Sequence, residues 1–198
     1  MFEVRIHGRG GQGVVTAAEL LALAAFEDGL QAQAFPSFGS ERMGAPVTAF
    51  CRIDDAPIRR REPIAEPDAV VVQDPTLLHH VDVFGGVRDG GFILVNSSRD
   101  ADALGLGELL ERHGPTRLLT VPASEIARAR LGRPIPNAAL LGGLVALTEI
   151  VSPGSLERAI SQRFNGAAAA NNARAAHDAH VQAAAQLARR AAPARTDG

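Results

Sequence analysis

Six residues near the start of the chain, Gly8-Arg9-Gly10-Gly11-Gln12-Gly13, have the types and spacing to hold an anion. Glycines lacking Cβ let backbone approach a phosphate, and a helix opening directly behind them offers unpaired N–H groups and the positive end of its dipole. The same residues also satisfy a purely architectural need, a tight strand-to-helix turn with positive φ and no ligand. A second stretch of unusual content lies between Pro36 and Pro46, where Gly39, Glu41, Arg42 and Gly44 share a loop with Ser37, Ser40 and Met43.

Other chemistries have little to work with. Cys51 is the only cysteine, so one copy of the chain cannot build a disulfide, a thiolate zinc site or an all-cysteine iron-sulfur cluster. It alternates with Val47, Ala49 and Ile53, the position of a buried, inert thiol. There is no Lys, which removes Schiff-base chemistry and a Walker-type phosphate lysine. No Ser stands in a GxSxG elbow. His79 and His80 are adjacent and diverge on a helix. His177 and His180 share a helix face beside Asp178, a spacing that needs a third ligand before it holds a metal, and an Ala-rich terminal helix reads as a solvated face.

The elements that must position these groups follow from periodicity. Phe2, Val4 and Ile6 alternate as a strand, and Val14 to Phe26 has helical spacing that closes at Gly29. Leu30 to Phe35 and Val47 to Ile53 read as strands, with Asp54-Asp55-Ala56-Pro57 as a turn able to start a hairpin. Ala69 to Gln73 and Phe92 to Val95 are continuous apolar runs of buried parallel strands, the first followed by Asp74-Pro75 and a helix from Thr76 to Phe84. Leu109 to His113 and Ala123 to Leu131 are helical, with a strand from Arg117 to Val121 between them. Asn137 caps a helix from Ala138 to Val151, Pro153 opens another through Phe164, and Ala167 to Arg190 is a long Ala-rich helix. The expected fold is α/β: a three-layer α/β/α domain with a mostly parallel or mixed sheet, a Rossmann-like glycine-rich first turn and a helical C-terminus. Residues 1–190 form a single domain and 191–198 a mobile tail.

Composition narrows the partners. With 198 residues, 46% hydrophobic content and a mean hydropathy of +0.03, the chain reads as one globular unit. No apolar run approaches the roughly 20 residues of a membrane span, and no basic-then-apolar leader opens the chain, so the expected address is cytoplasmic. A net charge of -2, with neither Tyr nor Trp, gives nucleic acid neither a field nor a stacking platform. Arg59-Arg60-Arg61 reads as a solvated charge run. A nicotinamide-binding Rossmann unit usually ends its second strand on Asp or Glu; here the residues are Gln33, Ala34, Phe35 and Pro36.

The glycine turn, the stretch Phe38 to Val47, Asp74 and Asn96 after successive strands, Pro134-Ile135-Pro136-Asn137 before Leu140-Leu141-Gly142, and Asn171-Asn172 near the terminal helix together resemble the gamma subunit of 2-oxoacid:ferredoxin oxidoreductases, pyruvate and ketoisovalerate type. The resemblance covers nearly the whole chain. It departs after Glu41, where such chains often carry a second Arg and this one has Arg42 followed by Met43.

The resemblance implies a subunit of a complex in which alpha and beta chains, with a ferredoxin-like delta chain, carry thiamine diphosphate and iron-sulfur clusters. The complex converts a 2-oxoacid and coenzyme A to an acyl-CoA, and electrons leave for ferredoxin or a flavin- or NAD-linked acceptor. This chain holds none of those cofactors. Its role is structural, with a CoA contact at Gly8, Arg9, Gly10, Gly11, Gln12 and Gly13 and at Gly39, Glu41, Arg42 and Gly44, where Arg9 and Arg42 add charge. The competing readings of the same turn are an interface loop facing a partner chain, the small subunit of an indolepyruvate oxidoreductase, and a freestanding nucleotide-binding oxidoreductase or regulator.

Overall fold

The computed structural model describes residues 1–37 and 43–192. Its centre is a six-stranded sheet in the order β2-β3-β1-β4-β5-β6, built from β1 (Phe2–Arg9), β2 (Gln31–Pro36), β3 (Pro46–Asp54), β4 (Ala69–Val72), β5 (Phe92–Asn96) and β6 (Leu118–Val121). β1, β4, β5 and β6 run parallel, and β3 lies antiparallel to both of its neighbours, which makes the sheet mixed. In β4 and β6 every residue is buried, as expected of strands covered on both faces.

Helices cover one face: α1 (Val14–Glu27), α3 (Ala123–Leu131), α4 (Asn137–Thr148), α5 (Pro153–Arg163) and α6 (Gly166–Ala191). Their apolar stripes meet Val4, Ile6, Val71, Leu94 and Leu119 from the sheet in one core. α4 is buried almost throughout and packs closely on α6, where Gly142 lies directly against the Ala176 carbonyl with no room for a Cβ. The opposite face is thinner. Two short 3-10 turns, at Pro75–His79 and Asp102–Leu104, the short α2 (Gly107–His113) and irregular chain close a smaller core around Val70, Val72, Ile93 and Val95.

Four expectations change. The helix expected over Thr76 to Phe84 is only the 3-10 turn Pro75–His79; beyond it the chain is irregular, and the buried Arg5 ties that segment to β1, its Nη2 donating to Val83 O at 3.1 Å and to Gly85 O at 2.5 Å. No hairpin follows Asp54. Arg52 Nη2 donates to Glu62 O at 2.6 Å and Arg5 Nη1 to Ala65 O at 3.3 Å, and these bonds strap the segment after β3 across the sheet. α4 ends at Thr148 rather than Val151, since Glu149 adopts φ 54 and turns the chain toward α5. Asn137 is the first residue of that helix, not its cap, which is Pro136. Of the tail expected from 191, residues 193–198 lie outside the described residues.

Candidate functional site

Parallel register brings the C-terminal ends of β1, β4, β5 and β6 to one edge of the sheet, where open α/β sheets characteristically bind ligands. The glycine turn leaves β1 at this edge. Gly8 is still in the strand, and a Cβ there would meet Val14 Cγ2 at 2.6 Å, so glycine lets α1 lie close to the sheet. Gly11 and Gly13 take φ 91 and φ 73, conformations that disfavour other residues. Gly13 is the N-cap of α1, with no side-chain cap and no acid in the first turn.

The remaining turn residues hold the loop. Gly10 N donates to Ala45 O at 2.9 Å and Gly10 O accepts from Gly44 N at 3.2 Å, which pins the second expected loop beside the first. Gln12 Oε1 accepts from Arg9 N at 2.8 Å, and its Nε2 donates to Asp74 Oδ2 at 2.9 Å. Arg9 faces the same carboxylate: Nε lies 3.2 Å from Asp74 Oδ2, Nη2 donates to Thr76 Oγ1 at 2.9 Å and Nη1 to Gly44 O at 3.0 Å. Burial disfavours charge on Asp74, but the hydrogen bonds from Thr76 and Gln12 and the Arg9 charge outweigh it and hold the carboxyl below the usual range. Gly39, Glu41 and Arg42 lie outside the described residues.

Five amides remain. Among the described residues, the N–H groups of Gly11, Gly13, Val14, Val15 and Thr16 have no acceptor; the first helical bond is Ala17 N to Gly13 O at 2.9 Å. Gly11, Gly13 and Thr16 line a cleft of about 340 Å³ whose other walls include Arg133, Asn137, Arg163, Asn171 and Asn172. No carboxylate lines it. Asn137 and Asn171-Asn172 belong to conspicuous sequence stretches; Arg133 and Arg163 had no local signal, because only the packing of α3 and α5 brings them to the turn.

The other expected groups are elsewhere. Cys51 is fully buried, and burial pushes its thiol up to about 12, far from a nucleophile. His177 and His180 line a separate cavity of about 100 Å³ with Glu157, and His180 Nδ1 is buried without a partner. Among the described residues no group of three His, Cys, Asp or Glu side chains could hold a metal, and no helix is long and apolar enough to cross a membrane.

The sequence matches the pyruvate ferredoxin/flavodoxin oxidoreductase family over residues 3–181. The chain belongs to that family. It is 51% identical over 181 residues to the pyruvate/ketoisovalerate oxidoreductases common subunit gamma of Thermococcus kodakarensis, covering 90% of this chain and 95% of the relative. Pyruvate synthase subunit PorC of Methanothermobacter thermautotrophicus is 49% identical over 92% of this chain and 96% of its own. The crystal structure of pyruvate oxidoreductase subunit PORC from Thermotoga maritima superposes with a TM-score of 0.77 at 36% identity, over 91% of this chain and 95% of that one. The likeness covers 90% of this chain and 95% of the Thermococcus relative, so the chain is a gamma subunit of a 2-oxoacid oxidoreductase and not a freestanding nucleotide-binding regulator.

Proposed function

We propose that this gamma subunit works in a complex whose alpha, beta and ferredoxin-like delta partners hold the thiamine diphosphate and iron-sulfur clusters, and that it offers CoA an anion cradle at the glycine turn. The reaction is oxidative decarboxylation of a 2-oxoacid to an acyl-CoA, with two electrons passed through partner subunits to ferredoxin or another acceptor. The relatives named for pyruvate and ketoisovalerate support short-chain substrates over aryl pyruvates. The carrying observation is the set of acceptor-free amides of Gly11, Gly13, Val14, Val15 and Thr16 at an uncapped helix start. Arg9, engaged by Asp74, fixes the shape of the turn in this reading, and the amides supply the contact.

Gly13→Val tests this in the reconstituted complex, because a side chain there is strained at φ 73 and collides with Asn137. Gel filtration establishes assembly, and steady-state kinetics then read the KM for CoA. A rise of roughly tenfold, the loss of one charge-assisted contact, with unchanged KM for the 2-oxoacid is expected. An intact complex with unaltered CoA kinetics would overturn the cradle, and loss of assembly would mark the turn as an interface device.

A further inference from the structure

The two edges of the sheet are finished differently. Along β6, side chains of α6 take the outward carbonyls: Gln186 Nε2 donates to Thr120 O at 3.1 Å, and Arg190 Nη1 to Leu118 O at 2.6 Å and to Pro115 O at 3.0 Å. β2 forms the opposite edge, and among the described residues no side chain bonds its backbone. Ser37 N donates to Thr48 O at 2.8 Å, and the same antiparallel register continues through Phe35 opposite Phe50 and Gln33 opposite Arg52, so these residues turn their backbone polar groups toward β3. Alternation then points the N–H and C=O of Ala32 and Ala34 away from the sheet, where nothing among the described residues pairs with them.

An edge strand left open to solvent is ordinarily blunted by charge, by a bulge, by an internal Pro or by a covering element. β2 has none of these. Its sequence, Gln31-Ala32-Gln33-Ala34-Phe35-Pro36, carries no charged residue, its register to β3 is unbroken, and Pro stands only at the last position. The carboxylates that flank it are occupied: Asp28 accepts from Ser152 Oγ at 2.9 Å, and Asp54, opposite Gln31, lies 3.3 Å from the N-terminal amine.

We propose that β2 is the contact through which two copies of this chain pair, edge to antiparallel edge, into one continuous sheet. A second copy is the occupant because this edge is its own complement. About a two-fold axis at Gln33, Ala32 of one copy faces Ala34 of the other, and each such pair exchanges two N–H···O=C bonds, so every outward N–H of both strands finds an acceptor. Pro36, which has no N–H, and Leu30, whose N–H already donates to Ala25 O at 2.9 Å, end the ladder on either side. Ala32 and Ala34 lie on the face covered by α1, and their small side chains let the two α1 helices approach across the axis. Phe26, on the last turn of α1 just ahead of β2, is 51% exposed and shares a helix side with Val15 and Ala22. Backbone bonds alone bury little surface; this aromatic supplies apolar area that a specific pair needs.

Ala34→Pro deletes one outward N–H and spares the bonds to β3, which Ala34 does not make; Phe26→Glu changes an exposed side chain outside the strand. Sedimentation velocity on the full-length chain over a micromolar concentration series, for wild type and both variants, is the direct test. A wild-type dimer whose dissociation constant rises roughly tenfold or more with each substitution, in variants that keep the wild-type circular-dichroism spectrum, is expected. Amide exchange at Ala32 and Ala34 should also slow as the wild-type concentration rises. If Ala34→Pro does not fold, Phe26→Glu and the exchange rates decide. A wild-type chain that stays monomeric, a dimer that the folded variants leave unchanged, or exchange at Ala32 and Ala34 that ignores concentration overturns the pairing. A monomeric chain whose Ala34→Pro variant fails to assemble with the other subunits overturns it too, in favour of a strand from one of them.

Discussion

Asp74 Oδ2 accepts a hydrogen bond from Gln12 Nε2 at 2.9 Å across 62 residues of sequence. The same oxygen lies 3.2 Å from Arg9 Nε, so one carboxylate just beyond β4 braces both polar side chains of the glycine turn. The turn is therefore held by a neighbouring strand's loop and not by its own sequence alone.

Asp74→Ala removes that brace and the cap on Thr76 together. It should cost about 1–3 kcal/mol of stability, since Gln12 and Arg9 lose a charged acceptor. In the assembled complex the KM for CoA should rise while kcat stays near wild type, because a loosened turn weakens binding without touching the reacting centre. Denaturation curves and CoA titrations check the two effects separately; a kcat loss at unchanged KM contradicts the assignment.

His7 makes stability depend on pH. Arg5 Nε donates to His7 Nε2 at 3.0 Å, so the ring is neutral and carries its proton on Nδ1, 3.3 Å from Thr48 Oγ1. Burial, with the Arg5 charge second, pushes its pKa down from 6.5 to about 4. The unfolded chain then binds the extra proton first, so stability is full above about pH 6.5 and falls as pH drops toward 4, by about 3 kcal/mol for this group. His7→Gln should flatten the difference between urea midpoints at pH 7 and pH 4.5. An undiminished difference would place its origin elsewhere.

Arg52 is 1% exposed and its Nε donates to Glu3 Oε1 at 2.8 Å. Arg52→Ala leaves a buried carboxylate with only Arg88, 3.2 Å from its other oxygen, and frees the strap at Glu62. The expected cost is about 3–5 kcal/mol. Adding Glu3→Gln to Arg52→Ala should recover part of it, and a double-mutant cycle measures the coupling.

Gly142→Ala drives a methyl group into the Ala176 carbonyl, where α4 and α6 touch backbone to backbone. Destabilisation by about 1–3 kcal/mol is expected, from overpacking that rigid helices cannot relieve. Gly154→Ala is the control: its nearest neighbour is the flexible Arg158 Nη1 at 3.5 Å, so its unfolding midpoint should stay at or slightly above wild type.

Local rules made much of the molecule readable from sequence. Alternation set β1 and β3, continuous apolar runs set β4 and β5, and Gly8 to Gly13 announced the strand-to-helix turn with its positive φ at Gly11 and Gly13, because each depends on a residue and its near neighbours. The acid-free end of β2 at Phe35-Pro36 and the lone buried Cys51 were legible for the same reason. What only the tertiary structure decided is who meets whom. Arg5 reaches Val83 O from β1, the brace on Gln12 comes from Asp74, and Asn137 faces Gly13 across more than half the chain. The convergence of α1, α4 and α6 on one cleft has no local signature. Pattern along the chain sets the elements; packing of apolar faces sets which ends share a space, and the candidate site is made of those ends.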